Sequence, residues 1–110
     1  MTQPAEKIGL FLPEGLHDQM LTTARSHCRR NPRGCVRGVY ERALGQLADN
    51  LDAGVPVTFR ATRGVKDRVS VRISGRLCAR VRRHLETQNL KLTDFACAAI
   101  DRFLTSQKGS

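Results

Sequence analysis

Tryptophan is absent from this chain, tyrosine occurs once and phenylalanine four times. Aliphatic side chains must therefore supply most of any core. Proteins that read single-stranded RNA stack bases on exposed aromatics, and Phe11 alone is expected to be exposed. No apolar run is long enough to span a bilayer, and the opening MTQPAEK lacks the charged-then-apolar order of a signal peptide. A cytoplasmic protein with no membrane partner is expected. Histidine is scarce as well. His17, His27 and His84 are scattered across helical patterns, with no spacing that suggests a nucleophile, a base or a metal triad. An enzyme is therefore not expected, nor a small-molecule substrate, nor a cofactor.

The four cysteines, Cys28, Cys35, Cys78 and Cys97, read as reduced thiols in such a compartment. Cys78 and Cys97 sit among apolar residues in helical patterns, as small core residues do. His27, Cys28 and Cys35 gather near one turn, but the spacing is not that of a zinc motif and a fourth ligand is not evident. No metal site is expected. The last shortage is of acid. Ten Asp and Glu stand against 19 Lys and Arg, a net charge of +9, which favours a polyanionic partner, nucleic acid first. The imbalance is local: Arg60, Arg63, Lys66, Arg68, Arg72, Arg76, Arg80, Arg82 and Arg83 are opposed over that stretch only by Asp67.

Within the basic stretch lies RVSVRIS, Arg68–Ser74. Val69, Val71 and Ile73 alternate with Arg68, Ser70 and Arg72, the period of a strand with one buried face. All three polar side chains fall on one side. A two-stranded ribbon fits the major groove of DNA, where Arg bonds guanine bidentately and Ser bonds either way. The same pattern also describes a solvated edge strand. For the helical Arg76, Arg80, Arg82 and Arg83, a solvated face or general phosphate attraction is the better reading.

In chain order, residues 1–6 form a loose polar arm and Lys7–Leu12 a short strand. Its Ile8, Leu10 and Leu12 lie on one face and Lys7, Gly9 and Phe11 on the other. Pro13 ends it. Glu14–Cys28 is a helix with Leu16, Met20 and Ala24 on one face. Asn31-Pro32-Arg33-Gly34 is a turn by its chemistry. A second helix runs from about Cys35 to Asn50, with Val36, Val39, Tyr40, Ala43, Leu44 and Leu47 as its stripe. Residues 52–66 form a connector, punctuated by Gly54, Pro56 and Gly64, with room for a short strand at Val55–Arg60. After the strand at Arg68–Ser74 come a helix at Gly75–Gln88 and a left-handed end at Asn89. A last helix to about Ser106 is capped by Thr93, with Asp94 in its first turn.

Strand, helix, turn, helix thus occurs twice. Leu12, Leu16, Met20 and Ala24 fall on Ile73, Leu77, Val81 and Leu85 at an offset of 61. Val36, Val39, Tyr40 and Leu44 fall on Ala96, Ala99, Ile100 and Leu104 at an offset of 60. Neither copy buries enough alone, because a single strand has no partner and two short helices make little core. Two copies solve both problems by pairing their strands antiparallel over four helices. The expected fold is mainly α with a short two-stranded antiparallel ribbon, a pseudo-two-fold dimer in one chain. It forms a single domain, 1–110, with copies at 7–51 and 67–106.

RVSVRIS, the helix GRLCARVRRHLETQ, the turn NLKL and the helix TDFACAAIDRFL together resemble the ribbon-helix-helix family of DNA-binding proteins. A looser match rests on KIGLFLPEGL and VRGVYERALGQL. Two copies in one chain are similar to the tandem members of bacterial DNA-transfer systems, the TraY-type relaxosome proteins and the T-DNA overdrive-binding virulence C proteins. The resemblance implies that outward strand residues read bases: Arg68, Ser70 and Arg72 in the second copy, and Lys7, Gly9 and Phe11 in the first. Gly9 and Phe11 depart from that role, so the implied reader is asymmetric, with Phe11 suited to a thymine methyl or the core. It also implies that the second helix of each copy meets phosphate at its start. Those starts carry Arg33 and Gly34, and Lys91 and Thr93; Asp94 opposes the role.

The expected function is sequence-specific binding of double-stranded DNA in plasmid or T-DNA transfer or in transcriptional regulation, with other DNA-processing proteins as further partners. The alternative is a protein–protein interaction adaptor with non-specific nucleic-acid affinity, which Gly9 and Phe11 favour.

Overall fold

A computed structural model describes residues 5–27, 32–59 and 66–108. The chain runs β1 (Ala5–Pro13), α1 (Leu16–His27), α2 (Pro32–Asp52), β2 (Lys66–Ser74), α3 (Gly75–Gln88) and α4 (Leu92–Lys108). The molecule is mainly helical, with one two-stranded antiparallel sheet. Ala5 pairs with Ser74 at one end and Pro13 with Lys66 at the other, with Gly9 opposite Ser70 in the middle. No helix among the described residues is long and apolar enough to cross a membrane.

Alternation decides which side of the ribbon is covered. Ile8, Leu10 and Leu12 from β1 and Val69, Val71 and Ile73 from β2 are all buried. They lie on one face of the pleat, because side chains two apart in a strand point the same way. Beneath them sit Met20 from α1, Tyr40, Leu44 and Leu47 from α2, Val81 from α3, and Phe95, Ile100 and Phe103 from α4. Helix α2 packs against all three other helices and against β2, while α4 packs against α2 and β1. The core is therefore common to both halves of the chain. With tryptophan absent, Tyr40, Phe95 and Phe103 are its largest fully buried side chains.

Helix ends obey local chemistry. The Ser74 hydroxyl accepts from the Leu77 N–H at 3.2 Å and caps α3. Asn89 closes that helix in the left-handed region, φ 54° and ψ 49°. Its N–H donates to Glu86 and the next N–H, of Leu90, to Leu85 at 2.8 Å, so two terminal carbonyls gain donors. Gly54, φ +81°, ends α2 by the same pair of bonds: its N–H donates to Leu51 and that of Val55 to Asn50.

Five elements differ in their bounds from the sequence reading. Both strands are longer, because pairing continues to Ala5 and Pro13 on β1 and to Lys66 on β2. Helix α1 starts at Leu16, after Gly15 at φ +86°. Helix α2 starts at Pro32, so Pro32, Arg33 and Gly34 belong to its first turn and not to a turn before it. Proline suits that place because its missing N–H has no helical partner there and its φ is already helical. Helix α4 starts at Leu92, which puts Thr93 inside the first turn. The carbonyl at the cap position is that of Lys91, which accepts from the Phe95 N–H at 3.1 Å.

The short strand for which Val55–Arg60 left room is not formed over residues 55–59. Val57 and Phe59 pack on the core instead, and the Phe59 ring stacks on Phe95 with centroids 6.3 Å apart. Arg60, Cys28 and Asn31 lie outside the described residues, as do the side chains of His27, Arg33 and Cys35.

Candidate nucleic-acid interface

The strand register assembles the outward face. Lys7 lies opposite Arg72, Gly9 opposite Ser70 and Phe11 opposite Arg68. All six residues are exposed. Every base-contact position expected from the sequence is thereby brought onto one surface. Phe11 does not turn into the core: it is 50% exposed, one of two large apolar side chains so exposed among the described residues.

The charge on this face is unopposed. The outward register positions carry no acidic residue, since Glu6 and Asp67 fall on the other parity, opposite Ile73 and Leu12. Among the described residues no carboxylate forms an ion pair with Lys7, Arg68 or Arg72. Other arginines are engaged. Arg37 pairs with Glu41 at 2.8 Å, Arg82 with Glu6 at 3.0 Å, and Arg80 with both Asp49 at 2.6 Å and Asp52 at 2.8 Å. Arg37, Arg80 and Arg82 are thus balanced internally, while Lys7, Arg68 and Arg72 on the ribbon, like the helical Arg76, form no ion pair among the described residues. In water such bareness costs little; beside a polyanion it is the condition for attraction.

The ribbon's foundation is held by a second polar cluster. His84 is buried on α3, and its Nε2–H donates to Asp52 at 2.9 Å. Arg80 and Arg83 of the same helix reach Asp52 at 2.8 and 3.7 Å. The Arg80 guanidinium, aided by His84, holds the Asp52 carboxyl below the usual aspartate range. This ties the end of α2 to α3. Glu41 makes a similar tie from mid-α2, accepting from the Ser74 N–H at 3.2 Å where β2 passes into α3. On the other side His17 Nδ1 and the Tyr40 hydroxyl share a hydrogen bond of 2.6 Å. Burial pushes the Tyr40 phenol up, so it stays protonated.

Sequence reasoning missed these ties. Asp49 and Asp52 are three apart on one helix, and Arg80, Arg83 and His84 are three and four apart on another. Each set shares a helical face, a signal visible before folding, but nothing in the sequence said that the two faces meet.

The expected phosphate-contact residues are less concentrated. Lys91 is exposed and stands at the start of α4, with Thr93 partly buried in the first turn beside Asp94. Arg33 and Gly34 occupy the first turn of α2. No protein-family model matches the chain, and comparison with curated proteins and with solved structures finds no match either.

Proposed function

We propose that the protein binds double-stranded DNA sequence-specifically by laying its ribbon in the major groove. One observation carries this reading. The exposed ribbon face presents Lys7 with Arg72, Gly9 with Ser70 and Phe11 with Arg68, and among the described residues no acidic side chain stands at an outward register position. Arg and Lys are donors suited to guanine O6 and N7, and Ser bonds either way. A two-stranded ribbon has the width the major groove admits. Phosphate contacts from the first turns of α2 and α4 would fix its register.

A ribbon-helix-helix architecture with two copies in one chain agrees with this reading. The element order is strand, helix, helix, twice over. At the sequence offset of 61, Gly9 corresponds to Ser70, and these two residues face each other in the ribbon. A two-fold axis through that pair satisfies both the repeat and the pairing. It also exchanges β1 with β2 and α2 with α4, in keeping with α4 packing on β1 and α2 on β2. The setting would be the bacterial cytoplasm, in DNA transfer or transcriptional regulation.

A second reading, a protein-interaction adaptor, draws on the exposed Phe11 and the bare Gly9. A salt titration of binding to a pool of random duplexes, with sequencing of the retained fraction, separates the two. DNA reading predicts one enriched motif and a steep loss of affinity with salt. Absence of binding at low salt overturns it in favour of the adaptor.

A further inference from the structure

The two ends of the ribbon are chemically different, and the register makes the difference directional. At one end Lys7 and Arg72 stand side by side, both donors only. At the other, Arg68 stands beside Phe11, which offers an apolar ring and no hydrogen bond. Lys7 and Phe11 are four residues apart on β1, so the ends are separated by roughly 13 Å. That is about four base-pair steps of B-DNA. The two ends must therefore meet different base pairs.

Resting on the proposed DNA-binding function, we infer that the protein reads a non-palindromic site in one fixed orientation. The Lys7–Arg72 end faces guanines. The Arg68–Phe11 end faces one guanine and an adjacent thymine, whose C5-methyl group packs against the Phe11 ring. Phe11 is thus a specificity-determining residue that sets polarity. An aromatic left half exposed on an otherwise cationic face has a use there, because the thymine methyl is the one apolar group that base edges present in the major groove. The opposing pair Gly9 and Ser70 adds a smaller difference between strands, with Ser70 as the only hydrogen-bonding side chain at the centre.

The surface permits a direct reversal. A side chain added at Gly9 meets nothing within 4 Å, and Phe11 is half exposed on the outward face. The double variant Gly9→Ser, Phe11→Arg gives both strands the same order of cation, serine and arginine. Duplex selection is run on the wild type and on this variant, with thermal melting of both as a control for folding.

The expected result is a wild-type motif whose halves differ, and a variant motif that is an inverted repeat. Replacing the thymine of the wild-type motif by deoxyuridine should weaken wild-type binding roughly fourfold, the worth of one methyl group removed from water, and leave Phe11→Ala unaffected. An inverted repeat selected by the wild type overturns the polarity while leaving the DNA-reading function standing. An unchanged asymmetric motif in the folded variant overturns the role of Gly9 and Phe11. Binding without any enriched motif overturns the base-reading function and this inference with it.

Discussion

At Arg80 the guanidinium lies 2.6 Å from Asp49 and 2.8 Å from Asp52, whereas at Arg72 no carboxylate among the described residues forms a pair. The two side chains are chemically identical and stand in opposite surroundings. Removing Arg72 takes nothing from the fold, since its side chain is exposed on the outward face. Arg72→Ala should leave the melting temperature unchanged and cost roughly 1–3 kcal/mol in binding to the selected site, with preference relaxed at one base pair. Arg80→Ala should do the reverse, lowering stability by on the order of 0.5–1 kcal/mol without altering which sequence is preferred. Parallel melting and competition binding check both. Equal losses on specific and random DNA for Arg72→Ala would show that the residue meets phosphate and not a base.

Elements begin and end where particular side chains replace missing hydrogen bonds, and this makes their boundaries testable. Ser74 caps α3. Ser74→Ala should cost about 1 kcal/mol, a fall of about 4–6 °C in Tm. Ser70→Ala, four residues earlier on the exposed face, should leave Tm unchanged. The tie between α2 and α3 through Asp52 predicts a pH dependence. With its folded carboxyl held below the ordinary range, the unfolded chain takes up the proton first as pH falls. The contribution is therefore fully present above the ordinary aspartate range and is lost on acidification through the folded value. Urea unfolding of the wild type should weaken toward acid more steeply than that of Asp52→Asn; equal slopes would show that the tie does not act on stability. Much of this level was legible in the sequence. The bounds Gly75–Gln88 and the left-handed Asn89 follow from local chemistry and match. The ribbon's inward and outward faces follow from a period of two and match too. The turn assigned to Asn31–Gly34 failed over residues 32–34, because proline and glycine mark both turns and helix starts, and only the packing of α2 settles which. The register of β1 on β2, and hence which outward residues stand together, is set by long-range contacts that no local pattern encodes.

At the scale of the whole molecule, the arrangement makes each half depend on the other. Every ladder hydrogen bond of β1 is made with β2, because the sheet has two strands. Helix α4 rests on α2 and β1, and α2 on α4 and β2. Cutting the chain after Gly54 would leave one fragment with Leu10, Leu12, Tyr40 and Leu44 uncovered and the other with Val71, Ile73, Ile100 and Phe103 uncovered. A strand without a partner and two helices without a floor bury too little to offset the entropy of ordering about 50 residues. Neither fragment alone should show a cooperative thermal transition by circular dichroism. Mixed in equal amounts, they should recover helical signal with a midpoint that rises with concentration, because association has replaced the connector. A fragment that melts cooperatively alone would mean that one half carries a core of its own, and the shared ribbon would then be a contact between two folded units instead of the condition for folding either.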